Sequence, residues 1–90
     1  MNIRELQKKL AGIVPESKMY DTMTVISHWV KKLHEQRVYK TSSEKDIQAL
    51  ANLGSLGIAE IEGKGNLIQA KLTEAGRKLY RDFTARSYYS

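Results

Sequence analysis

The chain has 90 residues and no cysteine, which excludes disulfides, thiolate metal ligands and cysteine nucleophiles. A hydrophobic share of 41% and a charged share of 28% are those of an ordinary folded domain, and the length suits one domain over residues 1–90. Fifteen Lys and Arg against ten Asp and Glu leave a net charge of +5, a balance that favours polyanions, with nucleic acid first among them.

Asn2 can cap a first helix in which Ile3, Leu6, Leu10 and Ile13 recur at helical spacing. This charged amphipathic start contains no long apolar run, so neither a signal peptide nor a membrane span is expected, and the expected location is the cytoplasm. Pro15 stops the first helix and can open the next. Met19, Met23, Ile26, Val30 and Leu33 then fall at alternating steps of four and three. Trp29 widens the stripe, and Asp21, Ser27, Lys31, Lys32 and Glu35 are expected on the opposite face. The spacing predicts a long helix over about residues 17–36.

Val38-Tyr39-Lys40 reads as a short edge strand or an extended link. Ser43 followed by Asp46 has the spacing of a capping box, and a helix carrying Ile47, Leu50, Ala51 and Leu53 follows, ended by Gly54 or Gly57. From Ile58 the period changes to two. Ala59 and Ile61 alternate with Glu60 and Glu62, Gly63 to Asn66 form a turn, and Ile68, Ala70 and Leu72 mark the return strand. Thr73 caps a last helix with Ala75, Leu79 and Phe83 on one face, and residues 86–90 are expected to fray.

No catalytic set emerges, so an enzyme is not expected, and neither is a cofactor. His28 and His34 are six residues apart and share no helical face, the serines lack a nucleophile motif, and Gly63-Lys64-Gly65 is too short for a phosphate-binding loop. Glu60 and Glu62 lie on one strand face, where solvation explains them at less cost than a paired-carboxylate site. No residues of a ligand-sized pocket can be singled out. Trp29 has the spacing of a core residue more than of a base-stacking one.

The run from Leu50 to Glu62 resembles a recognition helix leading into the first strand of a wing. Leu72-Thr73-Glu74-Ala75-Gly76 resembles the Leu-Thr-Glu-x-Gly segment after the wing in MarR and PadR regulators. The likeness covers about residues 43–83. It implies an α+β winged helix-turn-helix: three helices, a two-stranded hairpin wing and a C-terminal helix. It also implies binding of double-stranded DNA and a role in transcription regulation or as a plasmid- or phage-type accessory factor.

In such a fold the helix opened by Ser43 would enter the major groove with Lys45, Gln48, Ala49 and Asn52 outward, and Lys64 would sit at the wing tip. Gln and Asn pair with adenine, and Lys reaches guanine or phosphate. Lys31, Lys32 and Lys40, in the densest basic run, either contact phosphates or simply oppose the dipole of a helix end. Two features depart from the family pattern. The link from Arg37 to Ser42 is longer than a tight turn, and Glu44 and Asp46 put acid in the first turn of the groove-facing helix. That acid leaves a second reading open, a winged-helix module that docks on a protein. The apolar faces of the first and last helices suggest a homodimer.

Overall fold

The computed structural model describes residues 1–86, apart from the side chain of Lys64. Helix α1 (Ile3–Ala11) and helix α2 (Glu16–Gln36) precede strand β1 (Tyr39–Thr41) and helix α3 (Glu44–Ser55). Strands β2 (Ala59–Lys64) and β3 (Leu67–Leu72) then form a hairpin, and helix α4 (Glu74–Ala85) closes the chain. The domain is thus α+β, with four helices and an antiparallel sheet of order β1-β3-β2. The expected two-stranded hairpin is joined by β1 as a third strand, because β3 leaves one edge open and the extended Tyr39–Thr41 segment satisfies it.

The caps follow local chemistry. The side chain of Asn2 accepts from the Glu5 N–H, and that of Thr73 accepts from the Gly76 N–H. Pro15 stands at the N-cap of α2 without a side-chain cap, as its position in the sequence suggested. Helix α3 runs on past Gly54 to Ser55. Gly57 (φ 78°) then turns the chain toward β2. The hairpin is tighter than expected. Lys64 pairs with Leu67, only Gly65 and Asn66 lie between the strands, and Gly65 alone takes a positive φ, 62°. Glycine at the first central position matches a type II′ turn, whose twist suits the flanking strands.

The core sits between α2 and the inner face of the sheet, closed by α1, α3 and α4. Phe83, Leu6, Leu33, Leu50, Ile58, Leu79 and Val30 are fully buried, each contributing on the order of 1.5–3 kcal/mol. Several expectations are corrected here. Ile13 lies beyond the end of α1 and is 72% exposed, because the helix stops two residues earlier. Ser27 is buried rather than on the polar face, its hydroxyl donating to the Thr24 carbonyl at 2.7 Å. On α3, Ala51 is exposed while Ala49 is half-buried, so the helix is rotated from the orientation its sequence suggested.

Most of the two apolar stripes that suggested a dimer packs within the chain, Ile13 excepted. Ile3, Leu6 and Leu10 of α1 and Leu79 and Phe83 of α4 belong to one intramolecular cluster. A long-range contact ties the two helices, since the Ile3 N–H donates to Asp82 Oδ2 at 2.8 Å. It satisfies a helix-start donor with a side chain 79 residues away, which no local cap could do. Arg86 caps α4 through its backbone N–H, and residues 87–90, also expected to fray, lie outside the described residues.

Candidate nucleic-acid interface

The register places α3 relative to the hairpin. Strand β1 pairs Tyr39 with Ala70 and Thr41 with Ile68, so it runs toward the hairpin turn. Only Ser42 and Ser43 separate it from α3, so the helix begins at the same end of the sheet as Gly65 and Asn66.

A polar cluster sets the start of α3. Ser43 is extended (φ −71°, ψ 127°) and its hydroxyl accepts from the Asp46 N–H at 3.5 Å. The return arm of a capping box is carried by Thr41 instead of by the acid directly. The Thr41 hydroxyl accepts from the Ser43 N–H at 3.1 Å and donates to Asp46 Oδ2 at 2.9 Å. The Tyr39 hydroxyl donates to the same oxygen at 2.8 Å. Asp46 is therefore folded back onto β1, which corrects its expected place as a free acid in the groove-facing turn. The hydrogen bonds from Tyr39 and then Thr41, helped by the charge of Lys32, hold its carboxyl below the usual carboxylate range. The same bond pushes the Tyr39 phenol up from its ordinary value.

An aromatic pair backs this cluster. Trp29 and Tyr39 meet edge to face with centroids 5.5 Å apart, and Lys32 Nζ lies 5.2 Å from one ring and 5.1 Å from the other. Trp29 is half-buried against the core, as its spacing suggested. Lys32 is an exposed cation held near the N-terminal end of α3, where the helix dipole adds positive partial charge.

Lys45, Gln48 and Asn52 are all exposed at steps of three and four on α3, and so share one face. The basic run between Lys31 and Lys40, in contrast, is divided. Lys40 alternates with Tyr39 and Thr41 on β1 and lies on the outer face of the sheet with Glu62 and Gln69. Lys31 is turned about 100° around α2 from Lys32. Lys64 ends β2 at the hairpin turn, and its side chain lies outside the described residues.

One feature escaped the sequence pattern. The turn after α1, the outer flank of α2 and the far end of α3 enclose an open groove of about 410 Å³, bordered by Val14, Val25, Trp29, Leu53 and Leu56, with Asp21 as its one charged group. Its walls come from three separate segments, so no run of sequence signals it.

Among the described residues no group of three His, Asp or Glu is placed to hold a metal ion, and no helix is long and apolar enough to cross a membrane. Compared with family models, with curated proteins and with solved structures, the chain matches none.

Proposed function

We propose that the protein is a winged-helix DNA-binding protein that lays α3 in the major groove and sets the Lys64–Asn66 hairpin turn against the adjacent backbone or minor groove. The observation that carries the reading is the common end of the sheet from which both α3 and the hairpin turn emerge. A helix start and a β-turn at one end of a small domain can straddle one groove edge, which is how winged helices engage a duplex. Lys45, Gln48 and Asn52 form the base-reading face, where amide side chains pair with adenine and Lys reaches guanine or phosphate. Lys32 and Lys64 take phosphates, and the N-terminal end of α3 adds the positive end of its dipole. Lys40 drops out of the contact set because it lies on the outer face of the sheet.

Asp46 bears on the choice between DNA and a protein partner. Two acids at the helix start favoured capture of a basic partner, but Asp46 is engaged by Tyr39 and Thr41 and only Glu44 remains outward. The repulsion expected near phosphates is correspondingly smaller. The link between α2 and α3 carries β1 and is not the tight turn of a standard helix-turn-helix. The proposal therefore rests on α3 and the hairpin.

Fluorescence anisotropy with a random-sequence duplex across a salt series tests the reading. Micromolar binding is expected, with log K falling linearly against log salt at a slope of about −0.9 per phosphate contact. Absence of binding even at low salt overturns it.

A further inference from the structure

At the base of the hairpin, opposite its turn, a second basic site is assembled from three elements. The last turn of α2, the end of β3 and the first turns of α4 surround a pocket of about 270 Å³. It is lined by Leu33, His34, Arg37, Lys71, Leu72 and Arg77, and no carboxylate is among them. Four of the six are basic side chains, brought together from positions up to 43 residues apart by the packing of α2 on β3 and α4.

Arg37 is the informative residue. It adopts φ 61° and ψ −55°, the only non-glycine with positive φ among the described residues. The Val38 N–H donates to the Gln36 carbonyl at 2.6 Å across it, closing a γ-turn of the strained hand. Glycine would adopt this conformation freely, so an arginine here accepts backbone strain in exchange for a side chain at the pocket. Among the described residues no hydrogen bond or ion pair engages its guanidinium.

The other cations are positioned yet still accessible. Arg77 is anchored by one guanidinium N–H donating to the Leu72 carbonyl at 3.2 Å, which leaves its remaining donors. Lys71 stands 3.5 Å from Glu60, an exposed pair that competes weakly with a multivalent anion. The His34 ring is stacked on Tyr80 with centroids 3.7 Å apart, which fixes the wall between α2 and α4.

We propose that this pocket binds a small phosphate-bearing anion, a mono- or diphosphate group received by the guanidinium groups of Arg37 and Arg77 with Lys71 as a further charge. Guanidinium forks match phosphate oxygens in pairs, and two arginines with no carboxylate among the lining residues suit a ligand of charge −2, Lys71 being shared with Glu60. The site is separate from the DNA-binding reading. Lys71 stands four strand residues from Leu67, about 13 Å toward the opposite end of the sheet from the hairpin turn.

Inorganic pyrophosphate is the probe, titrated into the full chain at constant ionic strength, with backbone amide NMR shifts as readout and sodium chloride as the control. Saturable shifts are expected at residues 34–38 and 71–77, with affinity reduced about tenfold or more in Arg37→Gly and in Arg77→Gln, and unchanged in Lys45→Ala. Arg37→Gly removes the guanidinium while relieving the backbone, so its loss of binding is not a loss of fold. The absence of saturable shifts, equal affinity in Arg37→Gly, or shifts centred on α3 overturns the proposal. So does an Arg37→Gly variant that weakens duplex binding while pyrophosphate leaves the wild type unchanged, which would assign the pocket to a nucleic-acid backbone. Duplex binding is read separately by anisotropy, so either reading can fail without the other.

Discussion

The phenol of Tyr39 donates to Oδ2 of Asp46 at 2.8 Å, joining β1 to the first turn of α3 across seven residues of chain. Thr41 shares the same oxygen from the same strand, so two hydroxyls and one carboxylate set the angle at which α3 leaves the sheet. That angle decides where Lys45, Gln48 and Asn52 face.

Tyr39→Phe removes one donor from the ionised carboxylate and is expected to cost about 1–2 kcal/mol of stability at neutral pH. Asp46 is held below its ordinary value, so its contribution is present above about pH 4 and is lost as pH falls through its lowered folded-state value. Tyr39 is held above its ordinary value, so its contribution persists up to about pH 10 and is lost beyond, through the raised folded-state value. Urea midpoints at pH 7 and pH 3 should therefore differ less in Tyr39→Phe than in the wild type. Equal differences would show that the bond contributes nothing.

Gly76 is expected to refuse a side chain. A methyl group there would overlap the Ile58 carbonyl oxygen and lie 2.9 Å from Leu72 Cδ2, and Ile58 and Leu72 are both buried in the core. Gly76→Ala should cost about 2–4 kcal/mol. Gly12→Ala, where nothing lies within 4 Å, should change stability by less than about 0.5 kcal/mol. Denaturant titration of the two variants side by side checks the contrast.

Asp82→Ala unties the start of α1 from α4 by leaving the Ile3 N–H without its partner, at an expected cost of about 1–2 kcal/mol. Hydrogen exchange should quicken in α1 before it does in α2. Uniform quickening across the chain would mean that Asp82 serves the whole fold rather than this junction.

Arg37→Gly should raise stability by about 1 kcal/mol, since relief of the positive φ outweighs the greater freedom of glycine in the unfolded chain. A thermal melt reads the sign directly. A loss of stability would mean that the Arg37 side chain supports the fold.

Lys45→Ala and Lys40→Ala separate the two faces of the basic surface. The first should weaken duplex binding by about 1 kcal/mol or more and reduce the salt slope by about one contact. The second should leave both within error, because Lys40 lies on the outer face of the sheet. Equal effects of the two in anisotropy titrations would show a diffuse attraction rather than a docked helix.

Much of the local structure was legible in the residues. Asn2, Ser43 and Thr73 cap the helices that the spacing placed after them, and Met23, Ile26, Val30 and Leu33 mark the buried face of α2. These are short-range matters, in which a side chain meets backbone a few residues away or repeats with the helical period. The spacing of Ser43 and Asp46 also marked a helix start, but not the way Thr41 completes it, since that requires β1 to lie alongside.

What the sequence determined by itself was the order of elements, their caps and the basic balance of the surface, all set by local dihedral preference and by composition. Tertiary structure alone decided the pairing of β1 with β3, the inward turn of Asp46, the rotation of α3 that exposes Ala51 and half-buries Ala49, the separation of Lys32 from Lys40, and the convergence of Arg37, Lys71 and Arg77. Each depends on which face of one element meets another. Periodicity assigns residues to faces, but only packing selects the partner of each face.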